Sequence, residues 1–115
     1  MEKRIPDDWK QAVLDILKEG DLDRIEIRET SARIPFCDLF PFAFSHDLID
    51  AFITGLGRDD DLMGRQIHDM AEPGTVWEFI FTYRQQKILG KLCLTLNNEI
   101  VIIYSAHAPR KGDRV

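Results

Sequence analysis

The sequence predicts an α+β domain in which helices pack on a C-terminal antiparallel sheet. Three runs rich in β-branched and aromatic residues follow one another between Thr75 and His107, separated by short polar breaks: TVWEFIFTYR, ILGKLCLTL and EIVIIYSAH. Two of these runs alternate in side-chain chemistry with period two, which is typical of strands. Upstream, apolar residues recur at helical spacing. We therefore expect an N-terminal helix, a short strand and two further helices, all packed on a three-stranded antiparallel meander.

The size of the chain, 115 residues, predicts a single domain spanning residues 1–115 with one core. No apolar run reaches the roughly 18 residues that a membrane span needs. The basic N-terminus has no apolar stretch behind it, so no secretory signal is predicted. Cys37 and Cys93 are far apart in the sequence, which favours a reduced cytoplasmic protein over a disulfide framework.

The first helix has both start and stop signals. Pro6 suits a first helical turn, Asp7 and Asp8 can cap its free N–H groups, and Gly20 is placed to end the helix. Its predicted apolar stripe comprises Trp9, Val13, Ile16 and Leu17. Residues 22–29 then alternate between isoleucine and charged residues, which indicates a short edge strand with a charged outer face.

The segment from Thr30 to Phe44 contains four phenylalanines and two prolines, so neither a regular helix nor a strand is expected there. We interpret it as an apolar segment packed against the core. The alternative is an exposed patch, within residues 34–44, that binds a partner protein.

Two more helices are predicted before the meander. Ser45 is a suitable N-cap for the first of them, and Gly55 and Gly57 are expected to weaken and end it. Residues 58–61 would cap the second, and Pro73-Gly74 would close it. Its predicted apolar positions are Leu62, Met63, Ile67 and Met70.

The links of the meander also carry turn signals. Asn97-Asn98 suits a two-residue hairpin turn, because asparagine tolerates positive φ. Residues 84–87 are expected to form a slightly longer polar link. In the first strand, one face is predicted to carry Trp77, Phe79, Phe81 and Tyr83, and the other Val76, Glu78, Ile80, Thr82 and Arg84.

The net charge of −5 argues against a general nucleic-acid binder, but the charge is unevenly distributed. Residues 1–80 contain 18 acidic and 9 basic side chains, whereas residues 81–115 contain 2 and 6. A positive sheet and tail could face a phosphate backbone or an acidic partner. The alternative is a solvated surface with chance asymmetry.

No metal site is predicted, because His46, His68 and His107 lack the spacing of ligand motifs and neither cysteine has a local partner. Phosphate-binding and nucleophile-elbow motifs are also missing from the sequence, so no cofactor is expected. Ser105 and His107 would share a strand face, although no acid is placed to orient the histidine.

One cluster of polar residues remains, at the end of the last strand: His107, Arg110 and Lys111, with Arg84, Lys91 and Tyr104 expected nearby in the sheet. Cleavage of RNA by its own 2′-hydroxyl needs a base, an acid and a cation for the pentacoordinate phosphate, and it needs no metal. Histidine can exchange a proton near neutral pH. A basic strand end that only keeps the chain soluble is the alternative interpretation.

GTVWEFIFTYR, GKLCLTL and EIVIIYSAH together resemble the sheet of the MqsR toxins, a family of bacterial ribonuclease toxins with the RelE-like fold. The layout of the same family is similar at two more places, LKEGDL after the first helix and ITGL at the end of the second. The related BrnT toxins have the same sheet, and this chain resembles them equally. The resemblance covers residues 9–107. It implies an α+β fold, metal-independent mRNA cleavage (an mRNA interferase), and a cognate antitoxin protein as the partner.

The resemblance also implies which residues of this chain correspond to the active residues of the family. A lysine of the family aligns near Arg65 or Gln66, a glutamine with Glu78, a tyrosine with Cys93, and a final lysine beside His107. We therefore predict His107 as general acid or base, Glu78 as the complementary base, and Arg65 and Arg84 as phosphate contacts. Further substrate contacts are predicted at Lys91, Tyr104, Arg110 and Lys111. The alternative function is a non-catalytic interaction module of the same fold that uses the 34–44 segment.

Overall fold

Three helices and three short strands precede a long antiparallel meander in the described parts of the chain. The structure is a computed structural model that describes residues 2–68 and 73–110. The order of elements is β1 (Lys3–Arg4), α1 (Asp7–Glu19), β2 (Ile25–Ile27), α2 (Ile34–Leu39), α3 (Ser45–Arg58), β3 (Met63–Ile67), β4 (Gly74–Tyr83), β5 (Gln86–Thr95) and β6 (Val101–His107). The predicted α+β class is confirmed.

The sheet is larger than the sequence predicted. The meander of β4, β5 and β6 is present, but the described strands form one six-stranded sheet in the order β1-β3-β4-β5-β6-β2. Adjacent strands are antiparallel except for β2, which pairs in parallel with β6. The prediction of a three-stranded sheet is therefore wrong, because β1 and β3 extend one edge and β2 extends the other.

The predicted third helix at residues 62–70 is wrong where the structure describes it. Residues 63–67 form β3, which pairs with β4 through Arg65 and Glu78. Apolar residues spaced four or five apart suit a helix and a short edge strand about equally well, so this spacing does not distinguish a helix from a strand. Met70 lies outside the described residues.

The two stronger helix predictions are confirmed. Helix α1 runs to Glu19, and Gly20 ends it with a left-handed φ of 74°. Helix α3 begins at Ser45, and the Asp47 carboxylate accepts a hydrogen bond of 2.7 Å from the backbone N–H of Phe44. The cap is therefore Phe44 rather than Ser45, and the helix continues through Gly55 and Gly57 to Arg58.

The segment from Thr30 to Phe44 is more regular than expected. A π-helical turn (Glu29–Arg33) leads into α2, with Pro35 in the first turn of that helix. A proline there costs little, since the first N–H groups of a helix have no partner within it. The predicted strand at residues 22–29 is shorter than expected, because Leu22–Arg24 forms a 3-10 turn and only β2 is extended.

The β4–β5 link is shorter than the β5–β6 link, whereas the sequence predicted the opposite. Arg84 and Gln85 form the tight two-residue turn, with φ of 47° and 70°, because β5 already begins at Gln86. Asn97 and Asn98 do adopt positive φ, but they lie within a longer link that includes the 3-10 turn Leu96–Asn98.

One face of the sheet packs against the helices. The largest apolar cluster combines side chains of all three described helices with the face of β4 that carries Trp77, Phe79, Phe81 and Tyr83, as predicted. A second, smaller cluster lies on the opposite face and contains Val76, Cys93, Ile102 and Tyr104, with Ile67 and Ile100 beside it. None of its members comes from a described helix. We call this side of the sheet the helix-free face.

Of the helices in the described ranges, none combines the length and apolarity needed to cross a bilayer.

Tyr83 connects the sheet to α3 by a hydrogen bond, from which we expect the stability of the fold to depend on pH. Its hydroxyl donates to Asp50 at 2.8 Å, and burial together with this bond raises the pKa of Tyr83 above its ordinary value near 10. The folded state therefore holds the phenolic proton more tightly than the unfolded state does. This contribution to stability is complete below about pH 10 and is lost as the pH rises further.

Tyr83→Phe is expected to cost about 1 kcal/mol at pH 7, because the hydrogen bond to Asp50 is lost. The difference from wild type should shrink above pH 10, since the variant has no phenol to ionise there. Urea denaturation at pH 7 and at pH 10.5 measures both values. A difference that stays constant between the two pH values would contradict the assignment.

Candidate functional site on the helix-free face

A row of polar side chains crosses the helix-free face. Arg65 of β3 is paired with Glu78 of β4, Glu78 with Lys91 of β5, and Lys91 with Ser105 of β6. Directly paired residues of antiparallel strands project to the same side of a sheet. Because Glu78 is two residues from Val76, the row lies on the face that carries the second apolar cluster.

Glu78 is the buried centre of this row. Its side chain is 8% exposed, yet it carries a carboxylate, and a cation lies on each side. Arg65 donates a hydrogen bond to Oε1 of Glu78, and Nζ of Lys91 lies 3.7 Å from Oε2. A buried carboxylate without such partners would be strongly unfavourable, so the two cations explain how Glu78 is tolerated.

A β-bulge adds a second polar residue opposite Lys91. Leu92 pairs with Ile103 while Lys91 pairs with Ser105, which leaves Tyr104 as the extra residue of β6. Tyr104 belongs to the apolar cluster of the helix-free face, so both residues of the bulge project to that side. The guanidinium of Arg28 lies 5.2 Å from the centre of the Tyr104 ring, which adds a third cation to the row.

His107 lies on the same face, one step farther along β6. It is paired with Leu89, two residues before Lys91 on β5, so His107 and Lys91 are diagonal neighbours. Such neighbours lie about 7–8 Å apart. Nδ1 of His107 lies 2.8 Å from the carbonyl oxygen of Ala108, which can only accept, so Nδ1 carries a proton. In the neutral ring, Nε2 is then free to accept a proton.

The structure does not bring Arg84 into this group. Arg84 lies in the β4–β5 turn, six residues beyond Glu78 along the sequence, which corresponds to about 20 Å of extended chain. Its guanidinium lies over the Tyr83 ring at 5.0 Å and is 3.8 Å from Asp47 of α3. Arg84 therefore faces the helices, away from the polar row, and its role as a phosphate contact stays a prediction.

Two further basic residues, Arg110 and Lys111, were predicted beyond β6. Arg110 is exposed and lies three residues after the end of β6. Lys111 lies outside the described residues. The face that does assemble therefore contains Arg65, Glu78, Lys91, Tyr104 and His107 of the predicted site residues.

The sequence reasoning missed Arg28. Alternation in residues 24–28 indicated an edge strand with charged residues on its outer face, but it gave no neighbour for that strand. The parallel pairing of β2 with β6 places Arg28 beside Tyr104. Nη2 of Arg28 also lies 3.7 Å from Oε2 of Glu26. A parallel pair between strands some 75 residues apart has no local sequence signal.

The face combines an imidazole, a lysine and an arginine with the apolar side chains of the second cluster. Arg65 is 43% exposed and Lys91 24% exposed, so both cations remain accessible from solvent while their shared carboxylate is not. Such a surface can bind an anion and exchange protons with it. Within the described parts of the chain, no three His, Cys, Asp or Glu side chains converge as metal ligands would.

No protein-family model, curated protein sequence or solved structure matches this chain significantly.

Proposed function

We propose that the helix-free face cleaves RNA without a metal, by attack of a 2′-hydroxyl on the adjacent phosphodiester. The observation that supports this most directly is the diagonal placement of His107 and Lys91 on one face. A separation of about 7–8 Å between two such residues lets a single phosphodiester lie between their side chains. A second cation for the phosphate, Arg65, belongs to the same row.

The roles follow from the geometry of each group. Nε2 of His107 takes the proton of the 2′-hydroxyl as its oxygen bonds to phosphorus, and the ammonium of Lys91 donates a proton to the 5′-oxygen as the P–O bond breaks. Arg65 stabilises the charge of the pentacoordinate phosphate. The products are a 2′,3′-cyclic phosphate and a 5′-hydroxyl, and exchange with water restores both side chains.

The role that we propose for Glu78 differs from the one expected from the sequence. Both carboxylate oxygens face a cation, and the side chain is almost fully buried. Accepting a proton from substrate would require separation from Arg65. We therefore assign Glu78 as a positioning residue that holds Arg65 and Lys91 in place, rather than as the complementary base.

The biological setting that we propose is a toxin whose RNA cleavage arrests growth in the cytoplasm and whose activity is restrained by a cognate antitoxin protein. The resemblance of the sheet segments to the MqsR and RelE-like toxins supports this setting. The positive charge of residues 81–115 within an acidic chain is consistent with a local site for RNA.

The test uses the purified chain, a labelled RNA oligonucleotide and excess EDTA. Cleavage is expected to yield 2′,3′-cyclic phosphate ends and to be absent on the same oligonucleotide with 2′-O-methyl groups. His107→Ala should lower the rate by roughly 100-fold or more, because the proton acceptor is lost. His46→Ala is the matched control, since His46 is an exposed histidine on α3 and should have no effect.

Intact RNA at high protein concentration would overturn this proposal, as would equal cleavage by the wild type and by His107→Ala. Expression in a bacterial host gives an independent readout, in which growth arrest with mRNA loss should require His107.

The second candidate function is a non-catalytic interaction module. It is favoured by the exposure of two phenylalanines in the 34–44 segment: Phe42 is 95% exposed and Phe44 is 69% exposed. The other two belong to the interior, because Phe36 is buried and Phe40 contacts Phe36 and Tyr83. Normal growth and intact RNA at high expression would favour this function over cleavage.

A further inference from the structure

The side of the molecule that carries the helices has a groove that the cleavage proposal does not use. It lies between the end of α1, the 3-10 turn that follows and the first half of α3, and its volume is about 960 Å³. Its walls are largely apolar, formed by Leu17, Leu22, Phe44, Ile49 and Ile53. We call it the α1–α3 groove.

Large apolar side chains are exposed at this groove. Leu22 is 67% exposed and Phe44 is 69% exposed, and both line the groove; Phe42, two residues before Phe44 but not part of the lining, is 95% exposed. Contiguous exposed apolar residues on a soluble domain mark interaction surfaces. The described chain buries neither Leu22 nor Phe44, although both could gain stability from burial.

Phe42 also adopts an unfavourable backbone conformation. Its φ is 72°, in the left-handed region that costs a residue with a Cβ roughly 1–2 kcal/mol. Since its ring is almost fully exposed, contacts within the chain do not compensate for this cost. A strained residue that presents an aromatic ring to solvent is consistent with a binding role.

The charges around the groove are acidic and limit what can bind there. Asp21 and Asp23 flank Leu22 in the sequence, and Asp47 and Asp50 line the groove itself. Arg84 lies 3.8 Å from Asp47, but no ion pair within the described residues includes Asp21, Asp23 or Asp50. The rim therefore has an excess of negative charge, which attracts cations and repels an acidic partner.

We propose that the α1–α3 groove binds an amphipathic helix of a partner protein, one with basic residues flanking its apolar stripe. Apolar side chains spaced i, i+3 or i+4, and i+7 would insert among Leu22, Phe44 and Ile53, as in other helix-in-groove interfaces. Lysine or arginine beside that stripe would face Asp21, Asp23 and Asp50. The groove shares no residue with the RNA-cleavage site, so this inference holds whether or not the sheet cleaves RNA.

The test is a displayed library of 18-residue helical peptides selected on the purified chain. Enriched peptides should have the apolar spacing given above and an excess of lysine and arginine. Binding of a selected peptide, followed by fluorescence anisotropy, should weaken at least tenfold in Leu22→Glu and in Phe44→Glu. Asp23→Asn should weaken it severalfold at low salt and have less effect at high salt, because screening removes the attraction.

Leu96→Glu is the matched control. Leu96 is 64% exposed, also lies in a 3-10 turn, and is not among the residues that line the groove. It should bind the selected peptides as the wild type does. Because Leu22, Phe44 and Leu96 are all exposed, the three variants should fold, and thermal denaturation checks this directly.

Three outcomes would overturn the inference. The selection could yield no peptide that distinguishes the wild type from Leu22→Glu, or it could yield acidic peptides. Alternatively, sedimentation could reveal a wild-type dimer that Leu22→Glu dissociates, in which case a second copy of the chain occupies the groove.

Discussion

Replacing Arg65 with methionine is expected to lower the free energy of unfolding by about 3 kcal/mol, because it removes the cation that is hydrogen-bonded to a buried carboxylate. The only other cation in contact with Glu78 among the described ion pairs is Lys91, at 3.7 Å, which is too long for a hydrogen bond. The methylene groups of methionine retain much of the packing of arginine. Urea denaturation at pH 7 measures the loss.

Arg4→Met is the matched control for this prediction. Arg4 lies on the neighbouring strand β1, is ion-paired with Asp7 at 2.9 Å, and is 48% exposed compared with 43% for Arg65. Arg4 also lies 3.5 Å from Asp61, and both of its acidic partners are exposed, Asp7 to 70% and Asp61 to 89%, whereas Glu78 is only 8% exposed. Arg4→Met should therefore cost much less stability than Arg65→Met, because an exposed ion pair is screened by solvent. Equal losses in both variants would show that burial of Glu78 is energetically unimportant.

The double variant Arg65→Met/Glu78→Leu separates stability from function. Replacing both partners by apolar residues is often neutral, since neither charge is then left buried alone. The neighbouring residues Val76 and Cys93 are apolar and buried, so a leucine at position 78 is compatible with this face. We expect the double variant to recover most of the lost stability and to lose RNA cleavage. The polar row would then be a feature kept for chemistry rather than for folding.

The composition of the candidate site was largely predictable from sequence alternation. Period two in residues 76–82 placed Glu78 opposite Trp77 and Phe79, and the structure places Trp77 and Phe79 in the core that contacts the helices. In β6 the alternation is interrupted by the bulge at Tyr104, which moves Ser105 and His107 to the same face as Tyr104. A bulge depends on the partner strand, so a single strand pattern cannot reveal it.

The elements that the sequence reasoning missed depend on contacts between distant segments. Strand β3 is only five residues long, and its pairing with β4 determines its conformation. Gly64 allows the close approach, because a Cβ at this position would lie 2.8 Å from the carbonyl oxygen of Glu78. The isolated segment has no such constraint, and its apolar spacing suggests a helix instead.

Arg84 lies apart from Glu78 for a different reason, namely the position at which β4 ends. Counting residues of alternating character from Glu78 places Arg84 on the same face, but the strand ends at Tyr83 and the turn reverses the chain. Where a strand ends depends on the turn geometry, and two residues with positive φ, neither of them glycine, gave no strong signal for it. A shift of one residue at this boundary moves a side chain from one face to the other.

The second largest effect is expected at two glycines of α3, Gly55 and Gly57. Replacing each of them with alanine should change the free energy of unfolding in opposite directions. Gly55 and Gly57 were both expected to weaken α3, and in isolation alanine favours a helix over glycine by about 1 kcal/mol at either position. Their surroundings differ. A Cβ on Gly55 would lie 2.5 Å from Cδ2 and 2.6 Å from Cγ of Phe81, whereas nothing lies within 4 Å of a Cβ on Gly57.

Gly55→Ala should lower the free energy of unfolding by about 2 kcal/mol, since the cost of overpacking exceeds the gain in helix propensity. Phe81 cannot move away easily, because its ring packs against Phe52 at 5.1 Å and Phe79 at 5.7 Å. On the other side of these rings, a Cβ on Gly90 would lie 2.5 Å from Cε1 of Phe52. The absence of side chains at positions 55 and 90 is therefore what allows α3 to approach the sheet this closely.

Gly57→Ala should instead raise the free energy of unfolding by about 0.5–1 kcal/mol, because its methyl group projects into open space on an exposed turn of the same helix. Parallel urea titrations of the two variants measure both changes, and the gain in helix propensity cancels in their difference. That difference, about 3 kcal/mol, then reports the contact with Phe81 alone. If both variants were stabilised, α3 would have to lie farther from β4 than the structure places it, and the aromatic packing that positions the sheet would be wrong.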